Sequence, residues 1–309
     1  MNKVKFYFNA ARPRTLLLAI SSIIMGVMLP YADFPNYIPN WWLVVLLILT
    51  ASFLQILSNV SNELGDFKNG TDTTEKRVGP HYSLAEGILQ EKDFKIMIIS
   101  YVILSVICGL GAIYLAFGSF FCLDSIVFIL GGFVAIKAAT SYSLGLDNYG
   151  RKGLGDLYVF IFFGLVAVLG SYIMVAKTLP GWHIILPACT VGLFNVAVLN
   201  INNMRDMDSD QLTRNTIPVR IGERYSKIYH FALVLIAWAC MLGFSLFLSN
   251  RYQLHSIYNY LYVFSSPLFI AGLVLVFTRD HKKLDSCLPL MVVSTACFCI
   301  LAAIGYILL

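Results

Sequence analysis

The sequence predicts an all-α, polytopic membrane bundle of nine transmembrane helices, and three observations point there. Of its 309 residues, 58% are hydrophobic and only 13% charged, where a soluble domain carries about a quarter; the mean hydropathy is +0.75. Nine stretches are apolar over the roughly 20 residues that a helix needs to cross the hydrocarbon core. Lysine and arginine fall almost entirely into alternate loops. Seven cysteines without a Cys-x-x-Cys pair, and five scattered histidines, support neither a disulfide framework nor a zinc site.

The first stretch, 15–31, follows Lys3, Lys5, Arg12 and Arg14. The second, 41–64, runs into an acidic segment. The third and fourth, 95–116 and 121–143, are joined by a very short link; Lys95 sits at the edge of the third, and the fourth holds Lys137, the only Lys or Arg placed within the body of a span. The fifth, 155–176, opens on Gly155-Asp156. The sixth, 183–204, runs into a second acidic segment. The last three, 228–248, 256–277 and 287–309, contain no Asp, Glu, Lys or Arg.

With nine spans, the N-terminus and the loops 65–94, 144–154, 205–227 and 278–286 share one side. Counting Lys95 at the edge of the third stretch, that side holds 19 of the 22 Lys and Arg residues, all but Lys137, Lys177 and Arg251. The positive-inside rule therefore predicts a cytoplasmic N-terminus and an external C-terminus. All acids except Asp33 and Asp124 lie on the cytoplasmic side too, so chemistry is expected at the cytoplasmic face of the membrane.

Two segments stand out there. Asn59, Asn62, Glu63 and Asp66 follow at helical offsets 0, 3, 4 and 7, and Asn195, Asn202, Asp206 and Asp210 at 0, 7, 11 and 15, so each set lines one face of a helix. Asn62-Glu63-x-x-Asp66 overlays Asn202-Asn203-x-x-Asp206, four spans apart, which suggests a pseudo-repeat of a four-helix unit within a single domain covering residues 1–309. Two acidic helix ends facing across a cavity would be costly at a membrane edge without a function, and acids at a helix C-terminus oppose the helix dipole. Hard oxygen donors without His or Cys suit Mg²⁺, which binds carboxylates together with phosphate oxygens. Two such clusters predict two or more Mg²⁺ ions bridging a diphosphate from opposite sides.

These residues resemble the UbiA-type intramembrane prenyltransferases, an all-α family of nine-helix bundles with two acidic motifs. Within it the dihydroxynaphthoate polyprenyltransferase branch is most similar. The resemblance rests on Ala11-Arg12-Pro13-Arg14-Thr15, the first acidic motif with Gly70-Thr71-Asp72, Arg77-Val78-Gly79-Pro80, Tyr142-Ser143-Leu144-Gly145, Gly153-Leu154-Gly155-Asp156, and Asn202-Asn203-Met204-Arg205-Asp206 through Asp210. The family usually has Asp where this chain has Glu63, and often an Arg where it has His81.

The resemblance implies metal ligands Asn62, Glu63, Asp66, Asp72, Asp206 and Asp210, with Asp66 and Asp206 central to catalysis. It implies a polyprenyl diphosphate donor and 1,4-dihydroxy-2-naphthoate as acceptor, with CO₂ and diphosphate leaving to give demethylmenaquinone. Substrate contacts are expected from Asn62, Lys68, Arg77, Arg151, Asn202, Arg205 and Asp156, and catalytic roles from Tyr142 and Lys137. For Lys137 two expectations stand side by side: reaching a substrate anion or Asp156, or snorkelling to the headgroups. A sibling enzyme acting on 4-hydroxybenzoate or homogentisate is disfavoured by the form of the second motif. A cation-coupled transporter would suit nine spans and a pseudo-repeat, but the outer loops carry no matching charge.

Overall fold

The computed structural model describes residues 3–34, 36–70, 84, 86–144, 148–211, 213–252 and 256–309. Among them there is no strand, and nine helices are long and apolar enough to cross a membrane: Pro13–Asp33, Trp41–Lys68, Glu91–Phe117, Leu123–Ser141, Gly155–Ala176, Trp182–Arg205, Ile217–Arg251, Ile257–Thr278 and His281–Ile307. Every predicted span is present, and the protein is a multi-pass membrane protein. Asp72 and Arg77 lie outside the described residues.

Local chemistry sets several ends. The Asn40 side chain accepts hydrogen bonds from the Trp42 and Leu43 amides and caps the second span. At the third, the Gln90 amide donates to the Asp93 carboxylate at 2.9 Å. Several ends differ from the sequence expectation, the third span starting at Glu91 and the ninth at His281 among them. The second span continues to Lys68, so the whole first acidic segment is helical. The seventh starts eleven residues early, at Ile217, and is broken at Gly222, whose φ of 78° ends one helical piece and starts the next. Hydropathy misses that leading turn because it is polar.

The sixth span is the most enclosed and the fourth the least. The sixth packs on the fifth and seventh, the first on the second and ninth, and the second on the third. In the centre, Phe194 sits 4.5 Å from Phe269 and 5.0 Å, edge to face, from Phe298, with Trp238 against both partners. Between the fifth and sixth spans the backbones nearly touch. A Cβ on Gly164 would lie 2.7 Å from the Ala188 carbonyl oxygen, the small-residue packing that membrane helices use in place of a hydrophobic drive. Gly164 lies within a π-helical stretch, Phe160–Leu169. At the end of the bundle remote from the acidic motifs, Tyr172 and His183 both hydrogen-bond the Asp33 carboxylate, at 2.6 and 2.9 Å.

Candidate active site

The second and sixth spans bring their polar stripes to one cavity of about 1340 Å³, and all eight stripe residues line it. The first stripe lies on one helix, as its periodicity predicts. The second does not, because the sixth span ends at Arg205, Asp206 forms the turn after it and Asp210 closes a separate short helix, Met207–Asp210; packing brings both sets to the cavity. Below the acids the wall is apolar and aromatic. Tyr142 meets Tyr149 edge to face at 5.3 Å, and Tyr149 stacks on Tyr158 at 3.7 Å. All three line the cavity.

The first motif is held against the turn after the fourth span. Asn69 donates to the Ser143 carbonyl at 3.1 Å, and Gly65 passes so close that a Cβ there would lie 2.6 Å from that carbonyl. Backbone at this distance cannot swing aside. Gly65→Ala is expected to cost about 1–3 kcal/mol by overpacking, read as a fall in the thermal midpoint of the purified protein. Farther along, Asn59 donates to the Ala11 carbonyl at 2.9 Å and to Thr15 Oγ1 at 3.0 Å, tying the segment before the first span to the same helix face.

Two arginines organise the acids. Arg205, buried, donates from Nε and Nη2 to the two oxygens of Asp206 at 2.8 and 2.7 Å. It also donates from Nη2 to Asn202 Oδ1 at 2.7 Å and from Nη1 to Asp285 at 2.6 Å. Arg214 hydrogen-bonds Asp66 of the first motif through Nη2, and its Nε lies 4.0 Å from Asp210 of the second. Burial works against the Arg214 charge, but the two carboxylates outweigh it and hold its pKa above the ordinary arginine value. Burial also pushes the Tyr142 hydroxyl up to about 12, with Arg214 pulling the other way, so this phenol stays protonated at neutral pH.

The donor set fits magnesium. Glu63, Asp66, Asp206 and Asp210 are buried carboxylates at the cavity. Next in sequence to Glu63, the buried oxygen Asn62 Oδ1 has no hydrogen-bond partner, and neither has Asn195 Oδ1 farther back on the sixth span. Such hard oxygens are what Mg²⁺ takes, and they leave positions for phosphate.

Of the described residues predicted to act here, Asn62, Glu63, Asp66, Tyr142, Asn202, Arg205, Asp206 and Asp210 line the cavity. Four others do not. Lys137 is exposed on the fourth span, next to the cavity-lining Ile136 and Ala138 but not lining the cavity itself. Lys68 pairs with Glu91 at 3.5 Å outside the cavity. Arg151 donates to the Asn69 carbonyl at 3.4 Å, bracing the end of the motif helix. Asp156 is buried and accepts from Tyr229 at 3.0 Å, behind the wall. Arg214, Asp285, Tyr149 and Tyr158 line the cavity without having been assigned from sequence. In sequence Arg214 is one of several basic residues near the acidic motifs, and nothing in the local pattern marks the other three.

Asp208, between Asp206 and Asp210 of the second motif, turns out of the cavity to Lys282 at 3.0 Å and His281 at 3.3 Å. Its hydrogen bond to Lys282 outweighs its burial and lowers its pKa. Among the described residues, Glu223, Asp280 and His281 have ligand atoms close enough to share an ion. Lys227 already pairs with Glu223 at 2.7 Å, so this group acts as an ion-pair network pinning the turn before the ninth span to the second motif.

The profile of the UbiA prenyltransferase family matches residues 19–296. The 1,4-dihydroxy-2-naphthoate octaprenyltransferase of Haemophilus influenzae is 37% identical over 282 residues, covering 91% of this chain and 88% of that one. The enzyme of the same name from Escherichia coli is 36% identical, covering 87% and 84%. Among solved structures, a UbiA homologue from Archaeoglobus fulgidus bound to DMAPP and Mg²⁺ superposes with a TM-score of 0.58 at 15% identity, over 97% of this chain and 99% of that one; at that identity it speaks for the fold alone. Two acidic stripes meeting over an aromatic membrane cavity, a family profile spanning nearly the whole chain, and close full-length relatives lead to one conclusion: the chain belongs to the UbiA prenyltransferase family.

Proposed function

We propose that this protein transfers a polyprenyl group from polyprenyl diphosphate to 1,4-dihydroxy-2-naphthoate in a Mg²⁺-dependent reaction, losing diphosphate and CO₂, at the cytoplasmic face of a bacterial cytoplasmic membrane. The observation that carries this reading is the convergence of both acidic stripes at the polar end of one apolar cavity. The names of the Haemophilus and Escherichia relatives support the acceptor. The excess of Lys and Arg in one set of loops supports the orientation.

Asn62, Glu63, Asp66, Asp206 and Asp210 would hold Mg²⁺, with Asp72 as a further ligand. Bound there, Mg²⁺ neutralises the diphosphate and makes it a better leaving group. The allylic C–O bond breaks, its electrons leaving with diphosphate. The π faces of Tyr142, Tyr149 and Tyr158 offer the carbocation a dry, electron-rich wall. The ring carbon bearing the carboxylate forms the new C–C bond; CO₂ then leaves, and its bonding pair restores the aromatic ring. The product is the hydroquinone of demethylmenaquinone, and oxidation to the quinone follows as a separate step.

Purified protein in detergent, given Mg²⁺, a polyprenyl diphosphate and either dihydroxynaphthoate or 4-hydroxybenzoate, is expected to yield a decarboxylated prenyl-naphthalenediol, identified by mass. Prenylated hydroxybenzoate as the dominant product would overturn the acceptor assignment.

Glu63 gives a finer test. It is buried at the cavity, and its carboxylate reaches one methylene farther than the usual Asp. Glu63→Asp is therefore expected to raise the Mg²⁺ concentration for half-maximal rate, and Glu63→Gln to raise it further by removing the charge. Overlapping titration curves for the three forms would take Glu63 out of the metal site.

A further inference from the structure

The acids around the cavity are balanced in two different ways. Asp206 is neutralised from within its own motif by the adjacent Arg205, whose fork also grips Asn202 and Asp285. Asp66 and Asp210 belong to different motifs, and the cation between them, Arg214, belongs to neither. It lies four residues beyond Asp210, just ahead of the seventh span. Its side chain is 11% exposed and lines the cavity, and its buried Nε has no hydrogen-bond partner.

We infer that Arg214 is an exchangeable counter-ion, cross-linking the two motifs while no diphosphate is bound, then releasing Asp66 and Asp210 to Mg²⁺ and turning its guanidinium to the diphosphate. The inference rests on the function proposed above. A guanidinium hydrogen-bonded to Asp66 and facing Asp210 occupies the carboxylate lone pairs and the space that a divalent cation needs. Mg²⁺ arriving alone would have to displace it and leave a buried arginine unpaired beside a dication, which is costly. Mg²⁺ arriving with a diphosphate brings the anion that Arg214 takes up in exchange. Arg214 therefore couples the two ligands, and such coupling acts reciprocally on both affinities.

The opposite role, a permanent strut, makes opposite predictions. Binding is measured on the purified full chain with two probes: Mg²⁺ alone, and geranyl thiodiphosphate with Mg²⁺ present, whose C–S bond resists cleavage. In Arg214→Gln, Mg²⁺ alone is expected to bind on the order of tenfold tighter than in the wild type, and the thiodiphosphate on the order of tenfold weaker. The thermal midpoint without metal should fall, and the gain on adding Mg²⁺ should exceed that of the wild type. Arg214→Lys keeps the charge but loses the fork, so it should move each quantity in the same direction by less; it carries the test if the Gln form does not purify. Mg²⁺ binding that is unchanged or weaker in these variants would overturn the counter-ion role while the functional reading stands. A wild-type chain that binds neither probe would overturn both.

Discussion

Asp66→Ala and Asp206→Ala are each expected to slow prenyl transfer at least ~10²-fold while the protein still inserts and purifies, since each removes preorganised charge at the leaving group. Both carboxylates are buried at the cavity, on opposite motifs and each on its own arginine. The alanine forms leave a guanidinium with one partner fewer, so part of the loss will appear as reduced stability. Single-turnover rates on folded protein separate the two. Asp208→Ala is the internal control. It lies in the same segment but faces Lys282, outside the cavity, and its rate should stay within about twofold, as for surface ion pairs. Near-normal rates for both Asp66→Ala and Asp206→Ala would sink the two-cluster site.

Chelation should have the larger effect. Excess EDTA is expected to abolish turnover, and added Mg²⁺ to restore it. Glu63, Asp66, Asp206 and Asp210 converge on the space where a diphosphate would enter, and Arg205 and Arg214 are already engaged with carboxylates. Without a divalent ion, a diphosphate meets like charge in a partly desolvated site, where screening is weak. Full turnover in excess EDTA would refute the metal role.

The two predictions draw on information of different origin. The first acidic stripe is legible because helical periodicity is local and Asn59–Asp66 is one helix. In the second, only Asn195 and Asn202 lie on the sixth span, and Asp206 and Asp210 reach the cavity through a turn and a short helix. The basic partners were not legible. Lys68, Arg77, Arg205 and Arg214 are close to the acidic motifs in sequence, Arg151 lies in the next loop on the same side, and nothing along the chain ranks one above another. In space Lys68 goes to Glu91, Arg151 to a backbone carbonyl, and Arg205 and Arg214 to the cavity acids. Long flexible side chains choose partners by proximity, and proximity is set by turns that carry no period.

By itself, the sequence determined the number of spans, their approximate limits, the alternation of charge between the two faces and the first acidic stripe. Each follows from apolar length or from residue spacing along the chain. Only the tertiary structure decided that both stripes open on one cavity, that Tyr149, Tyr158, Asp285 and Arg214 join it, and that Lys137 and Asp156 do not. Periodicity fixes a face relative to its own helix axis. Which neighbour that face meets depends on how nine helices pack together, through close approaches such as Gly164 on Ala188 and Gly65 on Ser143, and spacing along the chain holds no record of those.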